Sequence, residues 1–369
     1  VKGRVWSFTA KTFSDTPAVQ TDPVSGDVRI GSEKFELIIE TQNGLNPCIV
    51  RDLQTGRVLA DGDYVWPNNI LPTLTGAPTI IHDQNGLWTV TLTALQDDLE
   101  IRQVYTIDDA KPNEFTETIR LRNTGSATLY TSGFACGFAR KLDSSDADEV
   151  LASRVSQIPY RIQPETGALC DYSLSKVATG QMWYATSRAW YTPGVDDGGK
   201  IYTSTFGSEG WAWYDGGEVL LLEKYHPDAM EWSLMKSVSR YAAGETYREK
   251  VLRFGGAGLW KLGDPEGAAW LSPGQSFTFG TTRYEFIDGS WQDAFYSFRD
   301  SMDQKGHSLP ANYNPPVHWN ELYDNPLWTI GDSVANRDIY YKLSDMKVEA
   351  EKAYEIGCEC LYLDPGWDT

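Results

Sequence analysis

The chain has 369 residues, of which 41% are hydrophobic and 22% are charged. This composition is typical of a globular protein with a sizeable core and excludes a fibrous repeat or a disordered chain. Asp and Glu outnumber Lys and Arg by 51 to 32, giving a formal net charge of −19. Nucleic acid and membrane are therefore not expected as partners, because an acidic surface repels phosphates and anionic lipids. No apolar run approaches the roughly 18 residues that span a bilayer.

Aromatic residues make up 13% of the chain, with 14 Trp, 20 Tyr and 13 Phe. Most are expected in hydrophobic cores, where large rings bury the most apolar surface. An excess of exposed rings is also typical of sugar-binding proteins, in which the C–H face of a pyranose lies against an indole or phenol ring. The five cysteines are odd in number and have no regular spacing, which argues against a disulfide framework. Cys358 and Cys360 are predicted to be buried thiols on one face of a strand, and we expect no metal and no cofactor.

The stretch from about residue 29 to 282 consists of short alternating apolar and polar segments separated by turn signals. The clearest predicted strands are residues 35–40, 87–95, 98–105, 115–122, 219–223 and 277–286. So many short strands over more than 250 residues predict a mainly β fold, namely a large antiparallel sandwich.

The pattern changes to helical spacing after Gly289. Apolar residues recur at positions i, i+3, i+4, i+7 and i+11 of residues 291–302, which predicts an amphipathic helix with Ser290 as its cap. Residues 306–316 are rich in Pro, Asn and Gly and are predicted to form a linker. The first domain is therefore expected to span residues 1–305.

Beyond the linker, the sequence predicts a strand, a helix and a second strand. The first strand covers residues 317–321, the helix covers 344–356 and stops at Gly357, and the second strand covers 358–363. A helical crossover makes the two strands parallel. Two parallel strands leave an unpaired edge and an uncovered face, so the chain is expected to continue past residue 369.

Polar and aromatic residues follow both predicted parallel strands. Asp364 and Trp367 come directly after the second strand, where α/β barrels place groups that bind substrate. Asp364 is therefore a candidate acceptor for sugar hydroxyls beside an aromatic wall, with turn capping as the alternative role. Trp319 and Glu321 form a similar cluster at the end of the first strand, with a simple packed strand end as the alternative.

The run from residue 349 to 367 (EAEKAYEIGCECLYLDPGW) resembles the start of the catalytic barrel in glycoside hydrolase family 36, the α-galactosidases. In that family a helix of the form A-x-x-A-x-x-x-G leads into a strand that ends L-D-D-G-W. Looser similarities to family segments follow the same order along the chain, at residues 115–125, 271–274, 289–298 and 316–323. The resemblance implies that residues 1–305 form a large antiparallel β-supersandwich and that residues 317–369 begin a (β/α)₈ TIM barrel, which is truncated here.

The resemblance also implies an activity, namely retaining, exo-acting cleavage of terminal α-linked galactose from an oligosaccharide or glycan. The family's nucleophile and acid/base are aspartates on later barrel strands, so they are expected after residue 369 and this chain alone is expected to be inactive. Asp364, Trp319, Trp367 and Glu321 are the implied substrate-binding residues. The family also implies homo-oligomers.

One departure from the family pattern leaves the substrate open. Where the family has paired aspartates that hold the C4 and C6 hydroxyls of galactose, this sequence has Asp364 followed by Pro365. An α-galactosaminide or α-N-acetylgalactosaminide is therefore the close alternative substrate. Two other functions are weighed against hydrolysis: a non-catalytic carbohydrate-binding protein, and a sugar epimerase that uses His82 or His226 of the sandwich as acid and base. Each histidine is more often a simple hydrogen-bonding residue.

Overall fold

The computed structural model describes residues 13–131, 134–142, 153–158, 171–174, 207–228, 231, 233–241, 248–256, 270–321, 324, 339 and 341–363. The chain divides into two compact units, Val1–Ser301 and Met302–Thr369. No helix among the described residues is long and apolar enough to cross a bilayer.

Short β-strands dominate the described part of the first unit. In chain order, the first twelve are β1 (Ala18–Thr21), β2 (Val28–Gly31), β3 (Phe35–Glu40), β4 (Asn46–Asp52), β5 (Val58–Ala60), β6 (Gly62–Val65), β7 (Thr73–Leu74), β8 (Thr79–His82), β9 (Leu87–Gln96), β10 (Leu99–Asp108), β11 (Glu114–Asn123) and β12 (Leu129–Tyr130). They are followed by β13 (Gly137–Lys141), β14 (Arg154–Ile158), β15 (Asp171–Ser173), β16 (Gly207–Ser208), β17 (Gly210–Asp215), β18 (Glu218–Tyr225), β19 (Ser233–Tyr241), β20 (Arg248–Gly255), β21 (Trp270–Leu271), β22 (Ser276–Thr278) and β23 (Thr281–Asp288).

These strands form three large sheets and one small ribbon. One five-stranded sheet has the order β1-β2-β3-β4-β5, and a second has the order β16-β19-β20-β13-β6. The largest sheet has the order β15-β14-β17-β18-β23-β11-β10-β9-β7, with β22 on β11 and β8 on β9, and β12 pairs with β21. All described strand pairs of this unit are antiparallel. The predicted mainly β, antiparallel fold is confirmed.

The predicted strand at residues 277–286 is instead two strands. β22 and β23 both pair with β11, but the register shifts by one residue between Thr278 and Thr282. The shift lies at Gly280, whose backbone N–H donates to Glu231 and whose missing Cβ would lie 2.3 Å from the carbonyl oxygen of Tyr225. A bulge of this kind bends a strand and frees a backbone group for other contacts.

Alternating burial along the strands builds one core between the sheets. In β9, Val90, Leu92 and Ala94 are buried while the intervening residues are partly exposed. The core contains Trp66, Trp211 and Trp213, each almost fully buried. Burying a large side chain stabilises a fold by about 1.5–3 kcal/mol relative to leaving it exposed. The aromatic excess of the sequence therefore serves the core to a large extent.

A carboxylate lies inside this core. Glu117 on β11 accepts hydrogen bonds from the hydroxyls of Tyr64 (2.8 Å), Tyr105 (2.9 Å) and Tyr284 (2.7 Å). The side-chain amide of Gln103 donates a fourth hydrogen bond. Tyr64 comes from the sheet that contains β6, and the other residues come from the largest sheet, so the carboxylate joins two sheets. Burial raises the pKa values of Tyr64, Tyr105 and Tyr284 well above the usual value for tyrosine. For Tyr105 and Tyr284, the negative charge of Glu117 is the second cause.

Helix α1 (Trp291–Met302) ends the first unit and confirms the predicted helix. Ala294 is fully buried, and Trp291, Phe295 and Phe298 pack against a small cluster from β14, β17, β18 and β23. At its start the Asp293 carboxylate accepts hydrogen bonds from both the N–H (2.6 Å) and the hydroxyl of Ser290 (2.8 Å). These bonds, led by that of the backbone N–H, lower the pKa of Asp293.

Among its described residues, the second unit has a short π-helical turn (Asp303–His307), followed by β24 (His318–Asn320), α2 (Leu343–Glu355) and β25 (Cys360–Tyr362). The strands pair in parallel, as predicted from the crossover helix. Before them, residues 306–316 are exposed throughout. The prediction that Cys358 and Cys360 are buried is wrong, since Cys358 is partly exposed and Cys360 is exposed. The reason is that Cys360 pairs with His318 on the face of the small sheet that points away from the helix. The helix itself buries Glu349 and Ala353 and leaves Tyr354 82% exposed.

Candidate functional site

The candidate site is the edge at which the two parallel strands end. His318, Trp319 and Asn320 lie opposite Cys360, Leu361 and Tyr362 in register. Both strands therefore end level with one another, and the residues that follow each strand leave from the same edge. In parallel sheets this edge is where binding residues collect.

The two faces of this small sheet differ. The indole N–H of Trp319 donates to the Glu349 carboxylate of α2 at 3.0 Å, so Trp319 faces the helix. Because strand side chains alternate, His318 and Asn320 face the other way. The rings of His318 and Tyr362 lie 5.7 Å apart on that second face, and Tyr362 is half exposed. This second face therefore presents an open aromatic and polar surface.

A short charge network holds Trp319 against the helix. Glu349 is buried and accepts from Trp319 through one oxygen and from Lys352 through the other, the latter at 2.8 Å. Lys352 also donates to Asp324. The hydrogen bonds to Asp324 and then to Glu349 raise the pKa of Lys352. This network has a structural role, because each of its charged side chains has an oppositely charged partner.

The end of α2 sets where β25 begins. Gly357 has a φ of +83°, a left-handed conformation that favours glycine. Its N–H donates to Tyr354 O at 3.0 Å, and the N–H of Cys358 donates to Ala353 O at 2.8 Å. This is the Schellman pattern, which satisfies the last helical carbonyls and turns the chain. The predicted stop at Gly357 therefore directs the chain into the strand that leads to Asp364.

The four predicted site residues are placed differently. Glu321 directly follows β24 at the shared edge and is fully buried. Trp319 is partly buried and faces the helix, as described above. Asp364 and Trp367 lie outside the described residues. The structure therefore places Trp319 inside β24 and Glu321 two residues later, directly after the strand.

Sequence reasoning missed Glu349. Helical spacing places Glu349 on the same face as Met346 and Ala353, since it lies three residues after the first and four before the second. A charged residue at such a position is usually assigned to solvent. Here the indole N–H and Lys352 compensate for its burial.

The two histidines considered for epimerase chemistry have different surroundings. His82 stacks on Trp88 with ring centroids 4.0 Å apart, and its Nε2 lies 3.0 Å from Asp109. Trp88 donates to the other Asp109 oxygen at 3.2 Å, so this carboxylate has a partner on both oxygens. His226 lies after β18, at the edge of the core. In the part of the chain that the structure describes, no cluster of three or more His, Cys, Asp or Glu has the arrangement of a metal site.

Comparison with known proteins was made by sequence and by structure. No protein family and no curated protein matches the sequence. Among solved structures, the chain is similar to the GH36 alpha-galactosidase AgaB from Geobacillus stearothermophilus, with 12% identity, a TM-score of 0.46, and coverage of 95% of this chain and 50% of that one. The alpha-galactosidase from Lactobacillus brevis has 10% identity and a TM-score of 0.47, with 94% and 49% covered.

A TPR-domain containing protein from Parabacteroides distasonis is also similar, with 11% identity and a TM-score of 0.41 over 79% of this chain and 50% of that one. The chain thus spans about half the length of these structures. Substrate and activity of this chain therefore have to be inferred from its own residues.

Proposed function

We propose that this chain is the amino-terminal part of a retaining, exo-acting glycoside hydrolase that removes terminal α-linked galactose or a galactose derivative. The observation that carries the proposal is the parallel, in-register pairing of β24 and β25 after a large antiparallel β-sandwich. A (β/α)₈ barrel contains parallel strand pairs of this kind joined by a helix, and the pairing therefore supports the proposal. The motif of residues 349–367 supplies the substrate class.

In this proposal the shared strand edge binds the sugar. Asp364 follows Tyr362 by two residues and accepts hydrogen bonds from sugar hydroxyls, while the ring of Trp367 lies along the sugar. Glu321, at the end of the neighbouring strand β24, also contributes to binding of the sugar. For Trp319, the hydrogen bond to Glu349 favours a supporting role at this edge over direct stacking on the sugar.

Cleavage with retention needs two carboxyl groups about 5–5.5 Å apart, one as nucleophile and one as acid and base. In the proposal both groups are aspartates further along the chain than residue 369. The edge described here then holds the sugar in the geometry that these two groups attack, and positioning of this kind lowers the barrier substantially.

Pro365 favours a second candidate substrate. With proline in place of the second aspartate, only one carboxylate remains beside the sugar at this position. A substituent that is not a plain hydroxyl, such as the amino or acetamido group of an α-galactosaminide, is then a candidate for recognition. The direct comparison is between 4-nitrophenyl α-galactoside and its N-acetylgalactosaminide counterpart as substrates.

The experiment compares the product of the complete reading frame with residues 1–369. We expect the complete protein to hydrolyse one of the two aryl glycosides, and residues 1–369 to hydrolyse neither. Asp364→Asn in the complete protein is expected to raise KM strongly, because a charged hydrogen-bond acceptor is lost. Glu351→Gln, an equivalent change at an exposed position of α2, is the control. Hydrolysis by residues 1–369 alone contradicts the proposal, as does an unaltered Asp364→Asn enzyme.

A further inference from the structure

A buried ion pair lies in the sandwich near the bulge at Gly280. The ammonium of Lys224 lies 3.3 Å from Glu231 Oε2, and both side chains are almost fully buried. Lys224 also donates to the carbonyl oxygens of Gly280 (2.6 Å) and Gly256 (3.3 Å), and to the hydroxyl of Thr282 (3.3 Å). The lysine charge is thus well compensated, as burial of a charge requires.

The two oxygens of Glu231 are used unequally. Oε2 faces Lys224 and accepts from the backbone N–H of Gly280 at 2.8 Å. Within the described part of the chain, Oε1 is buried and accepts no hydrogen bond. An unpaired buried carboxylate oxygen is costly, since it loses its hydration without replacement. Such an oxygen is a candidate acceptor for a hydrogen bond from a bound molecule.

A polar atom of His226 faces this oxygen. Its Nε2 lies 4.0 Å from Oε1, which is too long for a hydrogen bond. The Nδ1 atom of the same ring accepts from the backbone N–H of Asp228 at 2.9 Å. A neutral imidazole whose Nδ1 accepts carries its proton on Nε2, so the ring points a donor at the carboxylate. A donor and an acceptor therefore face each other across a distance that one oxygen atom bridges.

We propose that the His226–Glu231 pair is a binding site for a hydroxyl group of a neutral monosaccharide. A hydroxyl is the group that accepts from Nε2–H and donates to Oε1 at the same time. An oxygen about 2.8 Å from both atoms satisfies this geometry. The local charge favours a neutral ligand, because Lys224 and Glu231 cancel each other.

The surroundings favour a sugar over a simple hydroxyl compound. The ring of Phe277 lies parallel to that of His226, with centroids 6.4 Å apart, and Phe279 stands edge-on to Phe277 at 5.0 Å. A sugar presents both hydroxyls and an apolar C–H face, which match the polar pair and the phenyl ring. The His226 side chain is 17% exposed and that of Glu231 is not exposed, so the hydroxyl reaches Oε1 while the imidazole moves aside and is held by both groups once the ring returns.

The test is an NMR titration of residues 1–369 with D-galactose, observing the ring resonances of the four histidines. Tetrahydropyran, which has the ring without hydroxyls, is the negative probe. We expect a saturable shift at His226 with D-galactose and none with tetrahydropyran. Catalysis plays no part in this readout, and the outcome is therefore independent of the proposed hydrolase activity.

Two substitutions of histidine by phenylalanine locate the site. His226→Phe is expected to weaken D-galactose binding about tenfold, or about 1.4 kcal/mol, because one donor is lost. His82→Phe is the matched control and is expected to leave D-galactose binding unchanged, since His82 contacts Trp88 and Asp109 rather than Glu231. Both histidines are partly exposed, so neither change removes a core residue.

Three outcomes overturn the proposal: no saturable shift at His226, an equal response to tetrahydropyran, or unchanged D-galactose binding in His226→Phe. Glu231→Gln provides an independent check, with weaker binding expected. If that variant fails to fold because Lys224 loses its partner, the wild-type titration and His226→Phe still decide the question.

Discussion

The Glu117 carboxylate accepts four hydrogen bonds between two sheets, so replacing it by an isosteric amide tests what its charge contributes. Hydrogen bonds to charged acceptors are worth about 1.5–3 kcal/mol each, and neutral ones about 0.5–1.5 kcal/mol. With the donors Tyr64, Tyr105, Tyr284 and Gln103, loss of the charge removes about 4 kcal/mol. In Glu117→Gln the new amide also meets a hydroxyl donor, which leaves one buried donor unpaired at about 1–3 kcal/mol.

Part of this loss is recovered, because a neutral amide is cheaper to bury than a carboxylate. We therefore expect Glu117→Gln to lower the free energy of unfolding by about 2–4 kcal/mol. The assay is urea unfolding of residues 1–369 followed by tryptophan fluorescence, which reports on Trp66, Trp211 and Trp213 in the same core.

Two variants calibrate the result. Tyr105→Phe removes a single donor to the charged carboxylate and leaves it with three, so a loss of about 1.5–3 kcal/mol is expected. Glu100→Gln makes the same chemical change at a partly exposed position of β10 and is expected to alter stability by less than about 0.5 kcal/mol. If Glu117→Gln is no more destabilising than Glu100→Gln, the charge of Glu117 contributes nothing and the reasoning is refuted.

Three further predictions concern pH, the turn after α2 and the Trp319 contact. Folding raises the pKa of Tyr64, Tyr105 and Tyr284, so as the pH rises the unfolded chain loses these three protons before the folded chain does. The free energy of unfolding is therefore expected to fall above about pH 10, by up to about 4 kcal/mol per pH unit. Urea midpoints between pH 8 and 11 measure this, and a flat profile contradicts it. Gly357→Ala is expected to destabilise the second unit by about 1–2 kcal/mol, because φ is +83° at this position and residues with a Cβ rarely adopt that conformation. No atom lies within 4 Å of the added Cβ, so a steric clash does not contribute, and the loss is measured as faster amide exchange in α2. Trp319→Phe leaves one oxygen of the buried Glu349 carboxylate without its donor, and the stability of the second unit is expected to fall by about 1–3 kcal/mol. Amide exchange in α2 measures this loss, and unchanged exchange contradicts the hydrogen bond.

The periodic spacing of apolar residues predicted much of the fold. The spacing of Trp291, Ala294 and Phe298 predicted α1, and two-residue alternation predicted β9, β10 and β11 to within a few residues. These signals succeed because a helix or strand that buries one face needs apolar residues at its own period. The break at Gly280 was missed, because it depends on a carboxylate 49 residues away in the chain.

The candidate site was predictable only in part. Strand ends and their parallel direction follow from the crossover rule, and this places Glu321 at the edge that leads to Asp364. Which way Trp319 faces depends on Glu349, a residue 30 positions away that periodicity assigns to no particular partner. The His226–Glu231 pair was invisible for the same reason.

By itself, the sequence determined the acidic charge, the mainly β first unit and the β–α–β order of the second. Each of these properties depends on composition or on contacts between residues close in the chain. Only the tertiary structure decided which polar groups meet in the interior, including the tyrosines around Glu117 and the unequal oxygens of Glu231. The physical reason is that a buried polar group must find its partner in space, and in an antiparallel sandwich that partner is usually distant in sequence.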